Sequence, residues 1–297
     1  MNATTDDRTV TEAIRGVGGR TARRAFLTLA GCAAMAWAAG AGLAAGPLAP
    51  ERIRLADDFM GAVGPIWTLQ RMSPRALAFV SDPVSGAHPV LALTLHPGDV
   101  AGPGGDGEPT ERAELSEARA VQLPTGTDVW YGFSLHLPPD FPVVDRRLVL
   151  AQWKQACGDC SLDHSPAAAL RYRNGVLSIT VQDAGRRVTV FQEQADVRGR
   201  WLDVVVRLRV TPSPAGRLEA WLDGRRVADY QGVVGYPDDR DRVYFKMGLY
   251  RDHLPVPMTL LAARFRRGTS YAEVDPRTPR DLAGCRALVA CASALGP

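Results

Sequence analysis

The chain has 297 residues, of which 46% are hydrophobic and 23% charged, a composition typical of a soluble globular protein. This length can bury a substantial core in one large β domain or two small ones. The formal net charge of +3 argues against a nucleic-acid partner, which would need a dense basic stripe. Cations that converge locally would instead suit an anionic ligand.

The first 45 residues are typical of an export signal. Arg23 and Arg24 form a twin-arginine pair ahead of the apolar run Leu27–Ala45, whose small residues at the end suit peptidase cleavage. Leu29–Cys32 also fits a lipobox, in which Cys32 would carry a lipid, and an uncleaved anchor is a further alternative. We therefore exclude this segment from the fold and expect an exported protein, periplasmic or extracellular.

From Arg52 onward the sequence predicts strand after strand, with no long amphipathic helix and no repeat of fixed period. Asn174-Gly175 and Asp223-Gly224 each separate two alternating runs and predict type I′ hairpins. Many short strands with regular turns favour an antiparallel sandwich or barrel. We predict one domain over residues 50–275. The clearest predicted strands are Val90–His96, Arg112–Arg119, Val129–Leu137, Arg147–Gln155, Leu170–Gln182, Val188–Gln192, Trp201–Val210, Arg217–Leu222, Arg225–Tyr230, Val243–Arg251 and Met258–Arg266.

The segment Pro97–Thr110 is rich in glycine and proline and contains Asp99, Asp106 and Glu108. These residues predict a mobile loop over a binding face, with a structural calcium as one use of the carboxylates. A plain solvated connection is the alternative.

Cysteine usage agrees with export. Apart from Cys32, the chain has Cys157 and Cys160 as C-x-x-C, and Cys285 and Cys291 in the tail at 276–297. In an oxidising compartment an even number favours two disulfides, and four cysteines allow three pairings. The second pair has the wrong spacing for zinc, and no βαβ pattern supports a thioredoxin-like role. A short helix tied down by that second pair is expected in the tail.

Three predicted strands present polar side chains on one face, because side chains alternate along a strand. The outward set is Arg112, Glu114, Ser116, Gln152, Lys154, Tyr244, Lys246, Gly248 and Tyr250. The inward set is Ala113, Leu115, Val149, Ala151, Trp153, Phe245, Met247 and Leu249. Lys154 and Lys246 are the only lysines of an arginine-rich chain, which favours a requirement for a compact ammonium at these positions, and chance retention of two lysines is the alternative. Gly248 would leave bare backbone against which a ring could lie.

These strands carry three motifs, E-R-A-E-L at Glu111–Leu115, Q-W-K at Gln152–Lys154 and Y-F-K-M-G-L-Y at Tyr244–Tyr250. Their order and spacing resemble the jelly-roll polysaccharide lyases. That group includes alginate lyases with R-x-E-L, Q-x-H and Y-F-K-x-G-x-Y, and the related glucuronan and heparin lyases. The resemblance covers roughly residues 52–275 and extends to Tyr131–Pro138 and Gly268–Tyr271. It implies an all-β antiparallel β-sandwich, a concanavalin-like jelly roll with a concave substrate-binding sheet.

The resemblance also implies a reaction, the β-elimination of a uronic-acid polymer such as glucuronan, alginate or a heparin-like chain. The proton next to the carboxylate is removed and the 4-linked oxygen leaves, so the site must neutralise the carboxylate and supply an acid and a base. Arg112 and Gln152 would hold the carboxylate, and Tyr250 would protonate the leaving oxygen. In a one-residue mechanism Tyr250 would also take the first proton, as a tyrosinate stabilised by Lys154 or Lys246.

In the same resemblance, Lys246 and Tyr244 would line the sugar-binding face, and Glu114 would orient Arg112. No cofactor is required for catalysis, and no protein partner is implied. The sequence departs from the family at Lys154, where histidine is usual, because an ammonium cannot copy an imidazole that titrates near neutral pH.

Two histidines could replace the missing one. His136 faces the same way as Ser134 on its strand and would join the sugar-binding residues, and His164 follows the C-x-x-C motif. An ordinary surface histidine is the alternative for each.

Two other functions remain open. A glycoside hydrolase needs two carboxylates facing each other across the bond, and Glu111, Glu114 and Glu117 do not share a face. A non-catalytic module that binds anionic glycans would use the same basic face without turnover, and the absent histidine favours it.

Overall fold

A computed structural model describes residues 48–103, 107, 109–156, 165–237 and 241–279. The predicted export signal with Cys32, the other four cysteines, His164, Asp106, Glu108 and the tail beyond residue 279 lie outside the described residues. Within these ranges, no helix is both long and apolar enough to cross a membrane.

The described chain is almost entirely β-structure, which confirms the predicted fold class. The strands are β1 (Leu55–Asp57), β2 (Trp67–Arg71), β3 (Leu77–Ser81), β4 (Pro89–Leu95), β5 (Val100–Pro103), β6 (Pro109–Glu117), β7 (Leu123–Pro124), β8 (Val129–His136), β9 (Leu148–Ala156), β10 (Ala168–Arg173), β11 (Val176–Asp183), β12 (Arg186–Gln194), β13 (Trp201–Arg209), β14 (Arg217–Leu222), β15 (Arg225–Gln231), β16 (Arg242–Asp252) and β17 (Met258–Gly268). Two one-turn helices, α1 (Pro50–Ile53) and α2 (Tyr271–Val274), flank them, and 3-10 turns lie at Pro74–Ala76 and Arg119–Val121.

Two antiparallel sheets form the sandwich. The nine-stranded sheet runs β12–β11–β10–β9–β16–β6–β2, with β5 beside β6 and β7 beside β16. The eight-stranded sheet runs β15–β14–β13–β8–β17–β4–β3, with β1 beside β17. The three motif strands β6, β16 and β9 are therefore neighbours in the middle of one sheet.

Both predicted hairpin turns are confirmed, since Asn174, Gly175, Asp223 and Gly224 all have positive φ. Part of the segment predicted as a mobile loop forms a strand instead. Val100–Pro103 pairs with β6, because a backbone at the sheet edge gains hydrogen bonds by extending the sheet.

The core lies between the sheets and is rich in aromatic side chains. Phe245 and Trp153 have ring centroids 5.1 Å apart, and Phe245 stacks on Phe265 of the opposite sheet at 5.6 Å. The inward set predicted on the motif strands is confirmed for Ala113, Leu115, Ala151, Trp153, Phe245, Met247 and Leu249.

Two ion pairs in the interior fix the ends of β6. Glu117 pairs with Arg267 at 2.7 Å and accepts a hydrogen bond from the backbone N–H of Phe245 at 3.0 Å. Burial raises the pKa of Glu117, and the charge of Arg267 opposes that shift. At the other end, Glu111 pairs with Arg251 at 2.6 Å. These buried contacts hold β6 against β16 and β17, and thereby hold the outward side chains of β6 in place.

An irregularity in β9 changes the predicted facing of Val149. Leu170 pairs with Ala151, but the next residue of β10, Arg171, pairs with Val149, so Leu150 is an extra residue on β9. Such a bulge reverses the alternation on one side of it. Leu150 joins the core, and Val149 instead lies between Tyr250 and Arg171 across the sheet. The prediction of an inward Val149 was therefore wrong.

Gly248 lies where β16 also shifts its pairing with β9. Its φ is +137°, and a Cβ there would lie 2.3 Å from the backbone oxygen of Ala113 and 2.8 Å from the Cα of Glu114. Backbone conformation and close strand contact therefore require the glycine, a reason that differs from the bare patch for a ring predicted from the sequence.

We expect Gly248→Ala to lower the free energy of unfolding by about 3 kcal/mol, because the strain and the backbone clash add. Gly86→Ala is the matched control, since Gly86 has a φ of +66° but nothing within 4 Å of its Cβ position. That control should lose only about 1 kcal/mol. Denaturant titration measures both values, and equal losses would contradict the assignment of the clash.

Candidate active site

The pairing of the three motif strands brings the predicted site residues onto one surface, the face of the nine-stranded sheet that points away from the other sheet. We call it the polar face. The cross-strand pairs are Tyr250 with Arg112, Gly248 with Glu114, Lys246 with Ser116 and with Gln152, and Tyr244 with Lys154. Seven of the eight predicted site residues therefore lie on adjacent strands of one face.

Glu114 is the centre of this arrangement. Its carboxylate accepts a hydrogen bond from Gln152 Nε2 at 2.5 Å, and its Oε2 lies 3.1 Å from Arg112 Nε and 3.7 Å from Lys246 Nζ. The Glu114 side chain is only 1% exposed. A buried carboxylate that accepts a hydrogen bond from Gln152 and lies close to two cations favours fixed positions for these side chains, which agrees with its predicted role in orienting Arg112.

Tyr250 lies between two guanidinium groups. The guanidinium carbon of Arg112 is 4.8 Å from its ring centroid, and that of Arg147 is 5.5 Å away. Arg147 is held in turn by Asp252 at 2.5 Å. The cations beside Tyr250 are thus arginines, whereas the sequence predicted Lys154 or Lys246 there.

Lys154 lies at the other end of the polar face, beyond Lys246. Lys246 Nζ is 5.9 Å from the ring centroid of Tyr244, and Tyr244 pairs with Lys154. Between Val149, which pairs with Tyr250, and Lys154 the strand advances roughly 16 Å at about 3.3 Å per residue. Lys154 and Tyr250 therefore lie toward opposite ends of the polar face, with Glu114, Gln152 and Lys246 between them along the strands.

His136 does not join these residues. It lies on β8 of the eight-stranded sheet, where its ring is 5.4 Å from that of Trp201, and its backbone pairs with Trp201 and Leu261. Burial lowers the pKa of His136. The sequence predicted only the side of its own strand to which His136 points. Because β8 belongs to the eight-stranded sheet, that side is not part of the polar face.

Two further arginines of the polar face were missed by the sequence analysis. Arg147 precedes β9, and Arg171 on β10 pairs with Val149. Arg171 stands in the alternating run Leu170–Arg173, so its outward direction was a readable signal. The same face extends onto β2, where Thr68 and Gln70 pair with Ser116 and Glu114.

The glutamates of β6 bear on the alternative of a glycoside hydrolase. Glu111 and Glu117 point inward and are held by Arg251 and Arg267, and only Glu114 of the three points to the polar face. A pair of carboxylates across a glycosidic bond is therefore absent from this strand.

The calcium prediction is not decided by the described residues. Asp99 accepts a hydrogen bond from the backbone N–H of His96 at 2.8 Å. Asp106 and Glu108 lie outside the described residues. No group of three His, Cys, Asp or Glu side chains suited to a metal ion occurs among the residues described.

Solved structures share this architecture. The endo-β-1,4-glucuronan lyase from the fungus Trichoderma reesei superposes with a TM-score of 0.59 and 21% identity, over 76% of this chain and 98% of that chain. The catalytic domain of a GH131 β-glucanase from Podospora anserina gives 0.52 and 13%, over 75% and 95%. A family-7 alginate lyase gives 0.47 and 14%, over 64% and 82%. At such identities the likeness shows the fold alone.

A lyase and a glucanase share the sandwich, so the fold does not select the reaction. No curated protein matches the sequence. The family model that matches this sequence does select between a lyase and a glucanase. It is the model described as polysaccharide lyase, and its match over residues 60–272 includes all three motif strands. This chain belongs to the polysaccharide lyase family and is a lyase of the jelly-roll type.

Proposed function

We propose that the polar face cleaves a polyuronate by β-elimination, with Arg112 and Gln152 at the carboxylate and Tyr250 at the leaving oxygen. The observation that carries this assignment is the convergence of Arg112, Gln152 and Lys246 on Glu114, beside Tyr250. Such donors neutralise the substrate carboxylate and stabilise the second negative charge that forms when the adjacent proton leaves.

The residues divide the reaction as follows. Arg112 uses its Nε toward Glu114, which leaves its terminal nitrogens for the substrate carboxylate. Tyr250, as tyrosinate between Arg112 and Arg147, takes the proton from the carbon next to the carboxylate. The bond from the neighbouring carbon to the 4-linked oxygen breaks as the double bond forms, and the phenol returns its proton to that oxygen. Polysaccharide lyases of this kind need no cofactor for catalysis.

Lys154 has a separate role in this arrangement, since it pairs with Tyr244 and begins roughly 16 Å from the Tyr250 position. We expect Lys154→Ala to raise KM about tenfold, a loss of ~1.4 kcal/mol in binding, while kcat stays within about threefold. Steady-state kinetics on the cleaved polymer measures both constants. A fall in kcat of a hundredfold would instead make Lys154 the base.

The test of the function is direct. The mature protein is incubated with glucuronan, alginate and heparin separately, and ultraviolet absorbance reports the double bond conjugated to the carboxylate. Glucuronan is the first choice, because the Trichoderma reesei neighbour is a lyase of that polymer. Absorbance with at least one polymer is expected. Binding without any absorbance would favour the non-catalytic glycan-binding alternative, which Lys154 in place of histidine supports.

A further inference from the structure

Among the described residues Arg171 has no acidic partner, unlike four other arginines of the sandwich. Arg112, Arg147, Arg251 and Arg267 each have a carboxylate oxygen within 3.1 Å. In the described part of the chain, the hydrogen bond of the Arg171 side chain is from Nε to Thr180 Oγ1 at 3.1 Å, and no carboxylate pairs with it. Its charge is therefore not compensated within the described residues.

The surroundings of Arg171 make its positive charge still less favourable. Burial lowers its pKa to about 10, the positive charges of Arg187 and Arg147 act in the same direction, and Tyr250 and Tyr236 oppose the shift more weakly. Arg171 is still charged at neutral pH, so its guanidinium group and those of Arg147 and Arg187 repel one another. A partly desolvated charge without a counter-ion is destabilising, and a bound anion would relieve both the desolvation and the repulsion.

The position of Arg171 relates it to the proposed chemistry. One row of paired residues crosses four adjacent strands. It contains Arg112 on β6, Tyr250 on β16, Val149 on β9 and Arg171 on β10. Arg171 is two strand spacings, about 10 Å, from Tyr250. Because Val149 is apolar and has a short side chain, no charged group separates the two positions in the row.

We propose that Arg171 binds the acidic group of a sugar that neighbours the one being cleaved. This inference rests on the proposed function for the identity of the polymer. It makes the preferred substrate a run of consecutive acidic sugars, since one uronate is held at Arg112 and a second acidic group is held at Arg171.

The decisive variant is Arg171→Gln, which removes the charge but keeps a polar side chain of similar reach beside Thr180. KM for a polyuronate should rise about tenfold, while kcat stays within about threefold. Arg171→Lys should recover most of the loss. Arg209→Ala is the matched control, because it removes the same charge from an exposed position on the other sheet and should leave both constants unchanged.

A binding measurement separates this inference from the proposed function. Calorimetric titration of polyglucuronate into Tyr250→Phe and into Tyr250→Phe with Arg171→Gln does not depend on turnover. The affinity should fall about tenfold with the second change. Equal affinities, with an unchanged KM, would overturn the role of Arg171 even if the enzyme cleaves the polymer. A lack of cleavage by the wild type would overturn the lyase proposal, and the titration would still decide the role of Arg171.

Discussion

Tyr250→Phe should reduce the turnover of polyuronate by about 10²- to 10⁴-fold and leave binding of the polymer nearly unchanged. The variant removes only the hydroxyl group that is proposed to move both protons, and general acid–base catalysis contributes a factor of this size. The ring remains between Arg112 and Arg147, so the polar face keeps its shape. The rate of ultraviolet absorbance gain measures turnover, and calorimetric titration measures binding.

Tyr230→Phe provides the control, because Tyr230 lies on the eight-stranded sheet and its hydroxyl donates to the backbone oxygen of Val233. That variant should cleave at the wild-type rate. Full activity in Tyr250→Phe would remove this tyrosine from the mechanism, and Tyr244 would become the next phenol to test on the same strand.

Arg112→Ala should lower kcat/KM by about 10³-fold, which is near the upper range found when a donor to developing negative charge is removed. The change removes the fork proposed for the substrate carboxylate, the cation over the Tyr250 ring and one of the three side chains close to Glu114. Arg112→Lys should restore only a small part of the activity, because an ammonium keeps the charge but lacks the fork.

Arg119→Ala controls for the loss of one positive charge near the end of β6, since Arg119 is exposed in the 3-10 turn that follows this strand. Its kinetics should match the wild type. Melting temperatures of all three variants show whether folding is intact. An Arg112→Lys enzyme with wild-type kcat/KM would mean that the charge suffices and that no bidentate contact is formed.

Most of the fold could be predicted, because the signals lie in local sequence. Asn174-Gly175 and Asp223-Gly224 have the side chains that tolerate positive φ, and both turns are present. Ala184-Gly185 also has positive φ at both residues, but alanine gives no such signal. The strands β2 and β3 at the sheet edges were missed, since their short runs lack a sustained alternation.

The site was predictable where alternation within one strand was sufficient. Arg112, Glu114, Gln152 and Lys246 were read as outward from their own strands, and they converge in the structure. Two outcomes depended on partners elsewhere in the chain. Val149 faces outward because of how β9 pairs with β10 and β16, and His136 lies elsewhere because β8 pairs with β13 and β17. The alternation of side chains within one strand does not predict which distant strands will pair with it.

The extra residue at Leu150 makes the two halves of β9 run out of phase. The half that carries Gln152 and Lys154 presents even-numbered side chains to the polar face, and the half that carries Val149 presents odd-numbered ones. The strand β9 therefore places Gln152 on the polar face at one end, and at the other end it places Val149 in the row from Tyr250 to Arg171 on the same face. Deletion of Leu150 would bring the halves back into step and turn Val149 into the interior, so that the two ends of the active surface could no longer face the same sugar chain.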